Sequence, residues 1–239
     1  MKKALKKLIK KIPIAFTKNQ QYDRQTNQII RQVCNRHTNC IDVGAHKGEV
    51  LDVMLKYAPD GRHYAFEPIP DMVAALKTKY GTNKNVHVLD VALSDKKGSS
   101  TFNYVVSNPS YSGLVKRKYD RDNEEDTTIT VQTDRLDDIL PADYKPGLMK
   151  IDVEGGELLV LTGAVETIRK HKPVIIFEHG LGASDMYGST PDKVFNLLTD
   201  CGLKITRLKT WLQKPEAFTL AEFEAIYRNN SEYYFIAYP

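Results

Sequence analysis

The sequence is poor in the features that mark a secreted scaffold, a membrane-spanning protein or a nucleic-acid binder. Three cysteines are too few for a disulfide framework. Cys34, His37 and Cys40 have ligand-like spacing, but no fourth ligand accompanies them and Cys40 abuts a core strand, so no metal site is expected there. No run of about 20 apolar residues occurs, and hence no transmembrane helix is expected. Internal repeats and low-complexity tracts are also lacking. The net charge of +4 is local, because residues 1–18 carry seven lysines and no acid and leave 4 − 7 = −3 for the remainder. That balance speaks against a nucleic-acid partner. At 239 residues the chain can bury one full α/β core.

The dinucleotide fingerprint is missing as well. A G-x-G-x-x-G pattern starting at Gly44 requires glycine at 46 and 49, where the chain has His46 and Glu49. A pyrophosphate at that helix start would meet the Glu49 carboxylate, which offsets the helix dipole. A nicotinamide-dependent oxidoreductase, the alternative enzyme class, is therefore disfavoured.

What stands at this place is CIDVGAHKGEV, Cys40 to Val50: a short β-branched strand, an acid, two glycines and an amphipathic helix through Tyr57. Such a junction holds a ligand across the strand's carboxyl end. An acid-flanked turn suits an adenosine ligand with a cationic centre and no phosphate, and S-adenosylmethionine is that ligand. Asp42, Gly44, Ala45, His46 and Gly48 form the expected cradle; a turn serving only strand-to-helix packing is the alternative. A second strand, Arg62 to Phe66, ends in Glu67-Pro68, about 25 residues after Asp42, the offset expected of a ribose-binding carboxylate. A third, Val86 to Leu89, closes in Asp90-Val91-Ala92, with Asp90 placed to accept from an adenine amino group. The bland readings are a solvated acid for Glu67 and a loop acid for Asp90.

A fourth strand, Leu148 to Glu157, carries Lys150, Asp152, Glu154 and Glu157. Parallel strands usually read as continuous apolar runs, so the alternation of Lys150, Asp152 and Glu154 needs an explanation. These three residues argue against a non-catalytic binding module, although a lysine neutralising an acid is the structural alternative. One helix is expected from Glu157 to Arg169. A fifth, apolar strand from Pro173 to Phe177 ends in Glu178-His179, and His179 is the best single candidate for a general base because imidazole titrates near neutrality. A helix from Pro191 to Cys201 and a terminal antiparallel pair, Leu203–Leu208 with Tyr233–Ala237, complete the reading.

Between the third and fourth strands lies a long insertion, about residues 99–144. Thr101–Val106 and Thr127–Thr133 alternate like a hairpin beside the site. Tyr111 and Ser112 are candidate acceptor contacts, with Glu157 and Glu178 beside them, and Asp120–Asp126 reads as a solvated run. At the N-terminus, Lys2, Lys3, Lys6, Lys7, Lys10 and Lys11 fall on one half of a helical wheel and Ala4, Leu5, Leu8, Ile9 and Ile12 on the other. A peripheral contact of residues 1–18 with an anionic membrane is the functional expectation, and a helix that docks on the domain is the alternative.

IDVGAHKGE, AFEP, VALSD and above all LMKIDVEGGELLVLTGA resemble the FkbM family of S-adenosylmethionine-dependent methyltransferases. The resemblance runs from about Cys40 to Glu178. It implies a class I methyltransferase, Rossmann-like α/β fold, with a mostly parallel seven-stranded sheet, helices on both faces and a β-hairpin insertion between the third and fourth strands. It also implies O-methylation of a sugar, glycan, lipid-linked sugar or secondary-metabolite hydroxyl. Under it, Asp42, Gly44, Glu67 and Asp90 map to the cofactor site, and Asp152 and Glu154 to the reacting centre, where a divalent cation is conceivable but not favoured. His46 departs from the family, which more often has asparagine there. The expected organisation is a basic helix and linker helix over 1–35 and a methyltransferase domain over 36–239, in a cytoplasmic protein peripheral on the inner face of the membrane.

Overall fold

The computed structural model describes residues 17–117 and 124–239. The expected basic helix before Thr17, and most of the charged run Asp120–Asp126, lie outside them. The strands are β1 (Asn39–Val43), β2 (His63–Phe66), β3 (Val86–Leu89), β4 (Ala92–Leu93), β5 (Gly98–Val105), β6 (Asp126–Asp134), β7 (Pro146–Ile151), β8 (Val174–Glu178), β9 (Lys204–Arg207) and β10 (Tyr234–Tyr238). Seven of them form one sheet in the order β3-β2-β1-β7-β8-β10-β9. Its first five strands pair in parallel, and β10 runs antiparallel to both of its neighbours.

Strand parity decides which core each side chain enters. Ile41, Val43, Met149, Ile151, Ile175, Phe177, Phe235 and Ala237 point to one face, where Val160, Leu161, Ile168, Val194, Leu198 and Phe223 cover them. Cys40, Leu148, Ile176 and Ile236 point to the other, packed by Ile29, Ile30, Leu51, Met54, Leu76 and Leu208. Helices therefore cover both faces, which is why β8 reads as a continuous apolar run up to Glu178 and why Lys150 stands out in β7. Helix Lys18–Val33 belongs to the second layer, with Tyr22, Thr26, Ile29 and Ile30 buried.

The insertion is a hairpin. β5 and β6 pair antiparallel from Gly98↔Thr133 to Val105↔Asp126, longer than expected, and β4 adds a parallel edge.

The sequence reading needs three corrections. The single helix expected from Glu157 to Arg169 is two, Glu157–Thr162 and Val165–His171. The break falls at Gly163, where a Cβ would lie 2.0 Å from the Ser94 carbonyl oxygen, so the Ser94 backbone packs where a side chain would sit. The fourth strand stops at Ile151, and Glu154 takes a left-handed φ of 57°, so the charged set does not continue along one pleat face. Helices Leu208–Gln213 and Leu220–Arg228 were not expected. The second had a readable signal, because Thr219 and Glu222 form a reciprocal capping box.

Candidate active site

A cleft of about 1130 Å³ opens over the carboxyl ends of β1, β2, β7 and β8. Helix Lys18–Val33, the Pro109–Tyr111 turn and the loop after β8 complete its walls.

The glycine turn after β1 is locked by its neighbours. Gly44 and Ala45 donate their amides to the Phe66 carbonyl at 3.0 and 3.1 Å. Gly44 has φ 78°, and a Cβ there would stand 1.9 Å from the Asp152 carbonyl oxygen, so only glycine lets β1 and β7 end this close together. His46 has φ 47°, a left-handed conformation that histidine tolerates better than most residues. The Tyr80 hydroxyl donates to the Gly48 carbonyl at 2.8 Å.

Glu67 lines the cleft but is already engaged. One oxygen accepts the His46 amide at 2.8 Å and the other the Ile69 amide at 3.0 Å, so the carboxylate clasps the two loops that frame the cleft. Asp42 is buried, and its Oδ2 has no partner. Burial pushes it up to about 6, against the pull of Lys150.

Sheet register builds the centre. Asp42 lies opposite Lys150, and Glu178 opposite Tyr234. Lys150 pairs with Asp152, to which the Tyr234 hydroxyl also donates, and the ammonium stands 3.4 Å from that hydroxyl. Burial opposes ionisation of Asp152, but Lys150 and the hydrogen bonds hold it below the usual value. Burial, with Asp152 and Glu154 beside it, raises Glu178 well above the normal range. Burial and the Asp152 charge push Glu154 up to about 8, while the Arg117 guanidinium paired with it pulls the other way. Arg117 also stacks on the Tyr111 ring at 4.8 Å, and the Tyr187 hydroxyl accepts the Val115 amide at 3.0 Å, which ties the insertion over the site.

Most residues singled out in the sequence meet here: Asp42, Gly44, Ala45, His46, Glu67, Pro68, Val91, Ala92, Tyr111, Ser112, Lys150, Asp152, Glu154 and Glu178 all line the cleft. Within it, Ser112 is occupied structurally, its Oγ accepting the Val105 amide at 3.0 Å.

Four residues are placed otherwise. Gly48 lies behind the cradle against Tyr80. Asp90 is exposed at the end of β3 and is not part of the lining. Glu157, 1% exposed, accepts the Val153 and Gly155 amides and holds the turn after β7 from behind. His179 follows Glu178 on the opposite pleat, so its ring stacks on Phe223 and Tyr227 at 5.7 and 4.8 Å, outside the lining. Burial lowers it to about 4, and neither ring nitrogen has a partner, so it does not serve the cleft as a base.

Sequence reasoning missed Tyr22, Arg117, Tyr187 and Tyr234. Tyr22 stacks on Tyr234 with ring centroids 5.0 Å apart. No local signal marks either tyrosine, because β10 reaches the centre only by inserting between β8 and β9. Among the described residues, no group of three or more His, Cys, Asp or Glu side chains is placed to hold a metal ion.

The strand order, the antiparallel β10 and the acids ranged along the carboxyl ends of β1, β2 and β7 define a class I methyltransferase fold. Residues 42–205 match the methyltransferase FkbM domain model, and the chain belongs to that family. Methyltransferase sdnD of Sordaria araneosa is 28% identical over 75% of this chain and 78% of its own length. The 2-O-methyltransferase NoeI of Sinorhizobium fredii is 28% identical over 54% of this chain and 58% of its own. The solved methyltransferase FkbM of Methylobacillus flagellatus KT shares the fold with a TM-score of 0.53 at 18% identity, over 85% of this chain and 44% of that one. This chain thus spans under half of that structure. The family match stops short of Tyr22 and Tyr234, which nonetheless wall the cleft.

Proposed function

We propose that the chain transfers a methyl group from S-adenosylmethionine to a hydroxyl oxygen of a sugar, glycan, lipid-linked sugar or secondary metabolite. The observation that carries this reading is the buried, unpartnered Asp42 Oδ2 in a cleft bordered by Glu67, Asp152, Glu154 and Glu178. Such a donor set fits a cation better than a pyrophosphate, whose charges these carboxylates would repel. Asp42 and Glu67 would hold the donor, with Val91 and Ala92 as apolar lining and Asp152 between donor and acceptor. When bound, the donor supplies a methyl group on a sulfonium. The kinship with a 2-O-methyltransferase supports oxygen as the accepting atom.

The chain's own residues provide alignment and acid–base poise. Lys150 and Tyr234 fix the Asp152 carboxylate through one oxygen, Glu178 also hydrogen-bonds it, and the carboxylate so held would orient an acceptor hydroxyl. Glu154, raised to about 8, lies close to neutral pH and takes the base role that the sequence offered to His179. Positioning is the larger contribution, worth about 7–11 kcal/mol, whereas a general base adds about 10²–10⁴-fold.

Calorimetry with S-adenosylmethionine and with NAD tests the reading. Binding of the first and not the second is expected; tight NAD binding alone would end it. A labelled-methyl screen over glycans and lipids then finds the acceptor.

A further inference from the structure

We propose that Cys34 and Cys40 are a modification site, at which a hydroperoxide oxidises the pair to a reversible disulfide that staples the cleft-walling helix to the strand carrying Asp42. Three cysteines make no scaffold, yet two of them meet. Both are free thiols, and their sulfurs stand 3.7 Å apart, against about 2.0 Å in a disulfide bond.

The chain between them builds this proximity without the bond. Cys34 caps the C-terminal end of helix Lys18–Val33, and Cys40 is the second residue of β1. Residues 35–38 close a tight turn in which the Thr38 amide donates to the Asn35 carbonyl at 3.1 Å and the Asn35 amide to the Thr38 hydroxyl at 2.9 Å. The turn is also held from outside, because Arg36 pairs with Asp60 at 2.6 Å and the Asp60 amide donates to the Arg36 carbonyl. The two sulfurs therefore face each other across a fixed turn, and little further ordering is needed for them to react.

Their surroundings assign unequal roles. Cys34 is half-buried and followed by the exposed Asn35, Arg36 and His37, so an oxidant reaches it, whereas Cys40 is fully buried. The hydrogen bond from the Cys40 thiol holds Cys34 below the ordinary thiol value, and that bond, with burial, raises Cys40. Cys34 is accordingly the attacking sulfur. It takes one oxygen of the peroxide as the O–O bond breaks, its own proton leaves with the other oxygen as water, and a sulfenic acid results. The Cys40 sulfur then attacks the Cys34 sulfur, the S–O bond breaks, and the hydroxyl leaves with the Cys40 proton as a second water. Two thiols are oxidised and one peroxide is reduced to two waters. Exchange with a dithiol restores both thiols and leaves the reductant as the disulfide.

The position of the pair gives the bond its reach. The first turns of the same helix bring Asn19, Gln20 and Tyr22 to the cleft. Asp42 follows Cys40 by two residues on β1, hence on the same pleat face, and also lines the cleft. Oxidation thus joins two sides of the cleft through one bond. The inference stands on the thiols and does not rest on the methyl-transfer reading.

Treatment of the full chain with equimolar hydrogen peroxide, followed by denaturation, alkylation, trypsin and mass spectrometry, tests it. Trypsin cleaves after Arg31, Arg36 and Lys47, so Cys34 and Cys40 fall in separate peptides, residues 32–36 and 37–47. The expected product is a monomer lighter by two hydrogen atoms in which these peptides are joined, come apart with dithiothreitol, and leave Cys201 alkylated as a thiol. The oxidised protein melts about 5–10 °C above the reduced one, from the entropy of the short loop that residues 34–40 close. Cys34→Ser gives no joined peptides, and Cys40→Ser leaves Cys34 as a sulfenic acid that dimedone traps. Cys34 carried on to a sulfinic acid, or joined to Cys34 of a second molecule, with Cys40 still alkylated as a thiol, overturns the proposal. Joined peptides from a protein that melts no higher than the reduced form overturn the staple.

Discussion

Replacing Asp152 by asparagine strikes the centre of the site. The carboxylate accepts from the Lys150 ammonium and the Tyr234 hydroxyl, and the amide retains an oxygen for them while losing the charge. Lys150, 6% exposed, then keeps Asp42 as its nearest opposing carboxylate on the neighbouring strand. Stripping one partner from a buried pair costs about 3–5 kcal/mol when nothing replaces it. With the amide oxygen in place, the loss falls to about 1–3 kcal/mol, the scale of a compromised buried hydrogen bond. For a chain of this size about 2 kcal/mol lowers the melting temperature by about 4–8 °C, so the variant stays folded for assay. Turnover in labelled-methyl transfer falls about 100-fold, equivalent to about 2.7 kcal/mol of activation free energy. Calorimetric affinity for S-adenosylmethionine falls by less than about tenfold, a bound set by the expected split rather than by any single contact. A carboxylate that chiefly held a cation would show the reverse, since positive charge disperses as the methyl leaves. Unchanged turnover with affinity down 100-fold would refute the assignment of Asp152 to the acceptor side.

Gly44→Ala forces β1 and β7 apart and destabilises the protein by more than about 2 kcal/mol in urea titration, whereas Gly182→Ala, with the same sign of φ and nothing within 4 Å, costs only backbone strain of about 1–2 kcal/mol; equal losses would count against the close approach to Asp152. Glu154 and Glu157 have folded values of about 8 and 7 against an ordinary 4.5, so the native state binds more protons than the unfolded chain. Stability therefore falls as pH rises from about 6.5 to 8, above the range where the depressed histidines contribute the opposite slope, and the melting temperature recorded across that window reads it. Cation binding follows the opposite sign, tightening over the same window with proton release that calorimetry in buffers of different ionisation enthalpy detects. His179→Phe removes two unpartnered buried nitrogens and retains the stacking on Phe223 and Tyr227, so turnover stays within about twofold while stability holds or rises by about 1 kcal/mol.

The parts of the site written within single strand ends were legible. Asp42 to Gly48, Glu67 and Lys150 to Glu157 announce themselves because turn geometry and strand termination are local, and the glycines mark where the backbone must bend or approach. What depends on parity across a sheet was harder. His179 looked equivalent to Glu178, yet one residue of alternation sends it into the opposite core. Glu67 and Glu157 were recognised as important acids, but their hydrogen bonds to backbone amides belong to the loops they face and leave no trace in spacing. Tyr22 and Tyr234 were invisible for a topological reason: they meet only because the last strand threads between two earlier ones.

That threading has a consequence for how the protein is made. β9 has no place in the sheet until β10 arrives, and β8 keeps one edge unpaired along Val174–Glu178 through the same interval. Ile175, Ile176 and Phe177 on that edge are fully buried only in the finished fold. A folding chain therefore exposes a short apolar strand edge, open to pairing with other chains, until its final strand closes it. Loss of β10 would then show first as insoluble protein and only second as lost activity.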